Sequence, residues 1–473
     1  MSDGDLPEAG GAAAGFGPAL RADPLADDTL AAILDRCPGE DGPDGQWATI
    51  GLLNRLIAGW QINGDLAGWR AGAGTPDHIG AALERYLAAA MILPDWADPT
   101  RIARAEVLFM EMSMMSCTLL FCASLPECYV VPDLAAVLHA AGQLEQNADY
   151  RIRSTAAMLF PVMMHDGLTG AAGGGVAQAL KVRLIHATIR YLVLRGSPQA
   201  VLAGAGLQAP AGATGIIAPL PARGPTMQQV LYAHGWDIGR YGLPCNQEQL
   251  AYTLLTFHYV FLRGLRSLHI GLSAADEEAY LHAWNVLGHL LGIERPLTAD
   301  TMAAAADLFD RLQASGRANP YLPDSRPALG AALMQTMENE IPLPLLKPFP
   351  VLLTRYLCGK ASSHDLAITA RVSWLSRGLF AAFMGLTQLI DRIARLFVPE
   401  FSLCRMLTRV VGYRFTAKVL MDQTRPLKLP QSLLNQVDAV VRTWHDDKKA
   451  PRWVNKLEAR LSKRRPGQVG ISR

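Results

Sequence analysis

The stretch Gln178-Ala-Leu-Lys-Val-Arg-Leu-Ile-His-Ala-Thr-Ile-Arg-Tyr-Leu-Val-Leu194 decides how the rest of the chain is read. At about 100° per residue it is a helix on which Arg183 and Arg190 lie nearly in line. Val182, Ile185, Ile189 and Val193 form its apolar face, and His186 sits on the border between the two. An imidazole flanked by two guanidiniums beside an apolar strip suits a flat, apolar ligand with anionic groups along one edge. Haem is such a ligand. The opposing interpretation is a hydrogen-bonded core histidine with two arginines reaching to solvent.

Around this helix the chain reads as all-α. Apolar residues recur at three- and four-residue spacing over Trp47 to Ile62, Thr75 to Ala90 (with Asp77 as cap) and Asp98 to Cys122, and no run alternates as a strand does. Pro132-Asp133 opens a helix towards Gln146, and Asp149 is a cap for a helix from Tyr150 that Pro161 kinks or ends. That helix carries Arg151 and Thr155, four apart and on one face with Met158. The glycine-rich run Gly167 to Gly175 leads into the central helix. No strand precedes it and no Lys-Ser/Thr follows, so it reads as a flexible connector rather than a phosphate loop.

Asn246 caps a long helix towards Gly271, and Ser273 caps one towards Gly292, the two making a helical hairpin. Glu278 and His282, one turn apart on the second, are metal ligands in one interpretation and core hydrogen-bonding groups in the favoured one. Likewise, the methionines of Met110 to Met115 read as core filler rather than copper ligands.

With 473 residues, 50% hydrophobic and 18% charged, the chain can bury a large core. A net charge of +2 gives no global electrostatic case for nucleic acid. The cysteines Cys37, Cys117, Cys122, Cys128, Cys245, Cys358 and Cys404 contain no CxxC pair, which supports neither a disulfide framework nor a cysteine zinc site. The start has no basic-then-apolar leader, so the expected setting is cytoplasmic. The apolar run from Leu375 to Val398 is interrupted by charge and reads as a buried or interfacial helix. The expected organisation is a mobile N-terminal arm over 1–45, a helical domain over 46–426 and a basic tail over 427–473, with membrane-surface contact of that tail as the minority interpretation.

Arg151-x-x-x-Thr155, followed after the glycine-rich run by Lys181-Val-Arg-Leu-Ile-His-Ala-Thr-Ile-Arg190, resembles the signature of the MpaB and latex-clearing-protein oxygenase family. Asn246-x-Glu248, Thr256-Phe257-His258 and Glu278-Ala-Tyr-Leu-His-Ala-Trp284 with Gly288-x-x-Leu-Gly292 resemble its later blocks. The likeness runs from about Trp47 to about Pro426. It implies haem b in an all-helical, globin-like core, with His186 as proximal iron ligand, Arg183 and Arg190 holding the haem, and Arg151 and Thr155 as catalytic pocket residues. It also implies dioxygen cleavage of carbon-carbon double bonds in a hydrophobic, isoprenoid-like substrate. A haem- or lipid-binding carrier without turnover is the alternative. One position departs from the pattern: latex-clearing proteins carry a lysine before the motif threonine, and here that residue is Ser154.

Overall fold

The computed structural model describes residues 17–42, 44–142, 144–204, 215–221, 224–339, 341, 343–369, 372–395, 452–453 and 456. Within them the chain is all-α, and its two strands, β1 (Ile216–Ile217) and β2 (Trp236–Asp237), form a two-residue antiparallel pair. The first helices are α1 (Pro24–Leu34), α2 (Gln46–Ala58), α3 (Asp77–Ala90) and α4 (Pro99–Leu119). Asp98 accepts from the Thr100 and Arg101 backbone N–H groups at 2.8 and 3.3 Å, and so starts α4. Asp77 lies inside the first turn of α3 and makes no capping bond, which corrects its expected role.

From the end of α4 the chain runs into one π-helical turn, Leu120–Ser124, then α5 (Leu125–Cys128), α6 (Pro132–Gly142) and α7 (Leu144–Met163). The helix expected to start at Tyr150 therefore begins earlier, and α7 passes through Asp149 without a break. Pro161 sits two residues before its end, where a missing N–H and a fixed φ stop further winding.

Next come α8 (Gly175–Leu194), α9 (Pro198–Gly204), α10 (Met227–Ala233), α11 (Ile238–Tyr241), α12 (Gln247–Ser267) and α13 (Ala274–Leu290). The Asn246 side chain accepts from Gln249 N–H at 3.0 Å and that of Ser273 from Asp276 N–H at 3.1 Å, as expected of N-caps. The described chain closes with α14 (Met302–Arg317), α15 (Arg326–Asn339), α16 (Phe349–Asp365) and α17 (Trp374–Arg395). Pro344 and Pro348 lie between α15 and α16, and Pro350 sits in the first turn of α16, where a proline is tolerated.

One continuous apolar core runs from Ala22 to Met384. α8 packs on α7, α1, α10 and α13, while α4 lies along α13, and α12 packs between α13 and α14. A buried carboxylate ties the far side together. Glu127 accepts from Arg263 at 2.7 Å, Gln313 at 2.9 Å and the Ser362 hydroxyl at 2.9 Å, joining α5 to α12, α14 and α16. A buried charge with that many donors is compensated, and removing one donor exposes the cost of the rest.

The N-terminal boundary is a correction. Residues 17–45 had read as part of a mobile arm, yet Ala26, Leu30 and Ile33 of α1 are fully buried, and α1 packs on both α3 and α8. Residues 1–16 and almost all of 427–473 lie outside the described residues. Of the two forms expected for α17, buried or interfacial, the buried one does not hold, because its apolar residues Trp374, Leu375, Leu386 and Leu389 are exposed. No single described helix is long and apolar enough to cross a membrane.

Candidate functional site

The three polar residues that single out α8 have different surroundings. Arg183 forms a two-pronged pair with Asp23, Nε to Oδ2 at 2.6 Å and Nη2 to Oδ1 at 2.7 Å. Arg190 is fully buried and donates to Asp27 Oδ1 and the Cys245 carbonyl, both at 2.8 Å. Gly292 closes over the first pair with φ +84°, and a Cβ there would stand 2.6 Å from Asp23 Oδ2. Burial pushes the Asp27 carboxyl up to about 6, against the pull of Arg190.

These guanidiniums therefore clamp the segment before and within α1 onto α8. The expectation that Arg183 and Arg190 hold the carboxylates of a bound cofactor is corrected. A planar guanidinium satisfies a carboxylate wherever one is offered, and here the acceptors came from residues 23 and 27, inside a stretch that composition had marked as disordered. The signal was present in the sequence as two acids four apart, Asp23 and Asp27, opposite two basic residues seven apart.

His186 is half-buried, and its helical neighbours on the more open side are the half-buried Val182 and the exposed Ile185. Lys181, also half-buried, has no acidic partner among the described residues, and burial lowers its ammonium to about 8.

On α7, Ser154, Thr155, Ala157 and Met158 are half-buried, and Ala156, Leu159 and Phe160 are buried. Arg151 lies on the same helix, but its side chain falls outside the described residues. The α7–α8 connection is a fixed loop, contrary to its interpretation as a flexible connector. Glu106 receives the Asp166 and Gly167 N–H groups at 3.0 and 3.1 Å. The Asn63 amide donates to the Gly167 and Gly170 carbonyls at 2.9 Å, and its oxygen takes the Ala177 N–H at 3.2 Å. At Gly173 a Cβ would come within 2.1 Å of the Asp166 carbonyl oxygen. The glycines are there for close packing, which composition alone cannot distinguish from looseness.

A feature that sequence reasoning missed is an apolar cavity of about 20 Å³, lined by Phe109, Phe160, Phe257, Phe261, Tyr280 and Trp284 among others. It lies where α4, α7, α12 and α13 meet, with Leu120 and Ser124 of the π-helical turn in its wall. Its volume fits a molecule about the size of one water; anything larger would require the rings to rotate.

The favoured interpretation of His282 holds, since its Nε2 accepts the Asp98 N–H at 2.8 Å. Among the described residues no three His, Cys, Asp or Glu side chains are grouped to hold a bare metal ion. A macrocycle brings most of its own ligands and needs one protein donor, a requirement that a half-buried imidazole such as His186 meets.

Residues 107–389 match the family described as ER-bound oxygenase mpaB/B'/rubber oxygenase, catalytic domain. The rubber oxygenase of Streptomyces sp. (strain K30) is 24% identical over 296 residues, which is 62% of this chain and 59% of that protein. A solved structure of latex clearing protein in the closed state shares the fold with a TM-score of 0.56 at 19% identity, over 90% of this chain and 91% of that one.

Proposed function

The chain belongs to the mpaB/B'/rubber oxygenase catalytic-domain family, and from that premise we propose that it is an oxygenase using dioxygen on a hydrophobic, unsaturated, isoprenoid-like substrate. Haem b is the proposed cofactor, with His186 as its one protein ligand, and it would supply dioxygen activation when bound. The carrying observation is the packing of α7 on α8 inside the matched stretch. The helix with Thr155 lies against the helix with His186. One turn beyond Thr155, α7 gives Leu159 and Phe160 to the aromatic cavity.

In this proposal the chain's own residues do three things. The His186 imidazole stays neutral and donates a lone pair. Thr155 is the proposed hydrogen-bonding residue on the substrate side, and Arg151 lies one turn earlier on the same helix. The phenylalanine-rich cavity supplies an apolar wall that favours an alkene over a polar group once its rings rotate to admit one. Arg183 and Arg190 act at one remove, by fixing α8 against α1.

Oxygen uptake by the purified protein with a soluble polyprene oligomer tests the proposal. Uptake with formation of carbonyl products is expected, together with a loss of about tenfold or more on Thr155→Val at unchanged haem content. A protein that binds haem and the oligomer but consumes no oxygen is a carrier, and the catalytic proposal is then wrong.

A further inference from the structure

A second, larger cavity of about 290 Å³ opens between the start of α6, α11, the first turn of α12 and the last turns of α14. Its wall carries Asp133, Glu248, Gln249, Tyr241, Tyr252 and Ser315 among others. Asp133 and Gln249 are 7% and 5% exposed. They touch each other, the Gln249 amide N–H donating to Asp133 Oδ2 at 2.6 Å. Each also keeps a buried acceptor oxygen, Asp133 Oδ1 and Gln249 Oε1, that takes no hydrogen bond.

The neighbouring buried donors are already engaged, while Ser315 and Asn319 add more open ones at the wall. The Tyr252 hydroxyl donates to the Glu127 carbonyl at 2.7 Å, and the Asn246 amide to the Leu243 carbonyl at 2.8 Å. Arg21, the cation nearest Glu248, pairs with Glu294 at 2.8 Å. Arg240 also lines the recess; it is exposed, sits over the Tyr241 ring 5.3 Å from its centre, and forms no ion pair with Asp133 or Glu248. What remains is a polar recess with two buried acceptors that the cation in its wall, Arg240, does not pair with, and such groups are rarely left unmatched.

We propose that this recess is a ligand site for a small organic cation, whose ammonium or guanidinium head donates to Asp133 Oδ1 and Gln249 Oε1 while Glu248 adds charge and Tyr241 and Tyr252 add aromatic wall. The head carries several N–H donors and no acceptor, the complement of the two unmatched oxygens. Tyrosine faces favour cations as well. Burial pushes the Asp133 carboxyl up to about 6, as expected of an acid whose counter-charge is missing. The proposal does not depend on haem or on turnover, since none of these residues lies in the aromatic cavity or on α8.

Titration of the full-length protein with n-butylammonium and methylguanidinium chlorides, followed by calorimetry, tests it, with n-butanol as the uncharged control. Saturable binding in the millimolar range or tighter is expected for the two cations and none for n-butanol. Asp133→Asn should weaken binding by about tenfold or more, and Glu248→Gln should weaken it by a smaller factor while leaving the fold intact. Equal binding of n-butanol, or cation binding unchanged in both variants, overturns the proposal. Saturable binding of magnesium or calcium chloride without binding of either organic cation overturns it too, in favour of a metal site.

Discussion

Arg190 and Asp27 are buried to 0 and 1% exposure, so neither can be changed alone without leaving a bare charge in the core. Asp27→Asn is expected to cost about 3–5 kcal/mol, read as a fall in melting temperature, and Asp27→Leu combined with Arg190→Met should recover most of it. If the single variant melts like the wild type, the clamp does not hold α1. Asp133 gives a pH signature of its own. Its folded-state value of about 6 stands above the ordinary 3.8, so ionisation is harder in the folded chain than in the unfolded one. Its contribution therefore opposes folding above pH 6 by about 2–3 kcal/mol, and that cost fades as pH falls towards 4. Asp133→Asn should accordingly melt higher than the wild type at about pH 7.5, with the gap closing by about pH 4. A gap that does not change with pH would mean that Asp133 is not the group responsible.

At the scale of elements, most helices were legible because their apolar spacing and caps are local. Asn246 and Ser273 cap as their side chains predict. What the sequence hid were decisions made by distant partners. α1 is poor in strong local signals, and it is held by Arg183 and Arg190, about 160 residues away in the chain. The glycine-rich loop read as slack because composition reports conformational freedom and not the Glu106 and Asn63 side chains that use it up. Gly173→Ala tests that loop: a Cβ 2.1 Å from a backbone oxygen forces the chain to move, at an expected cost of about 1–3 kcal/mol. Hydrogen exchange of the Asp166 and Gly167 amides should then speed up, and unaltered protection would contradict a tight loop.

Over the whole molecule, the all-α class and the family were readable from two helices and their spacing, and the match over residues 107–389 agrees. The candidate site was only half readable. His186 and Thr155 lie on the packed helices α7 and α8, but the aromatic cavity needs Phe109, Phe160, Phe257 and Trp284 from four separate helices. No single stretch of sequence carries that arrangement. The two arginines point to a division of labour: α8 is fixed by its charges on one side, and His186 is left half-buried on another. The most direct test of the central claim is the absorption spectrum of the purified protein, reduced and then exposed to carbon monoxide, beside that of His186→Ala. We expect an intense Soret band that shifts with carbon monoxide in the wild type and is lost in a folded His186→Ala. A wild type that stays colourless after haem addition, or a variant that keeps full haem content, would contradict it.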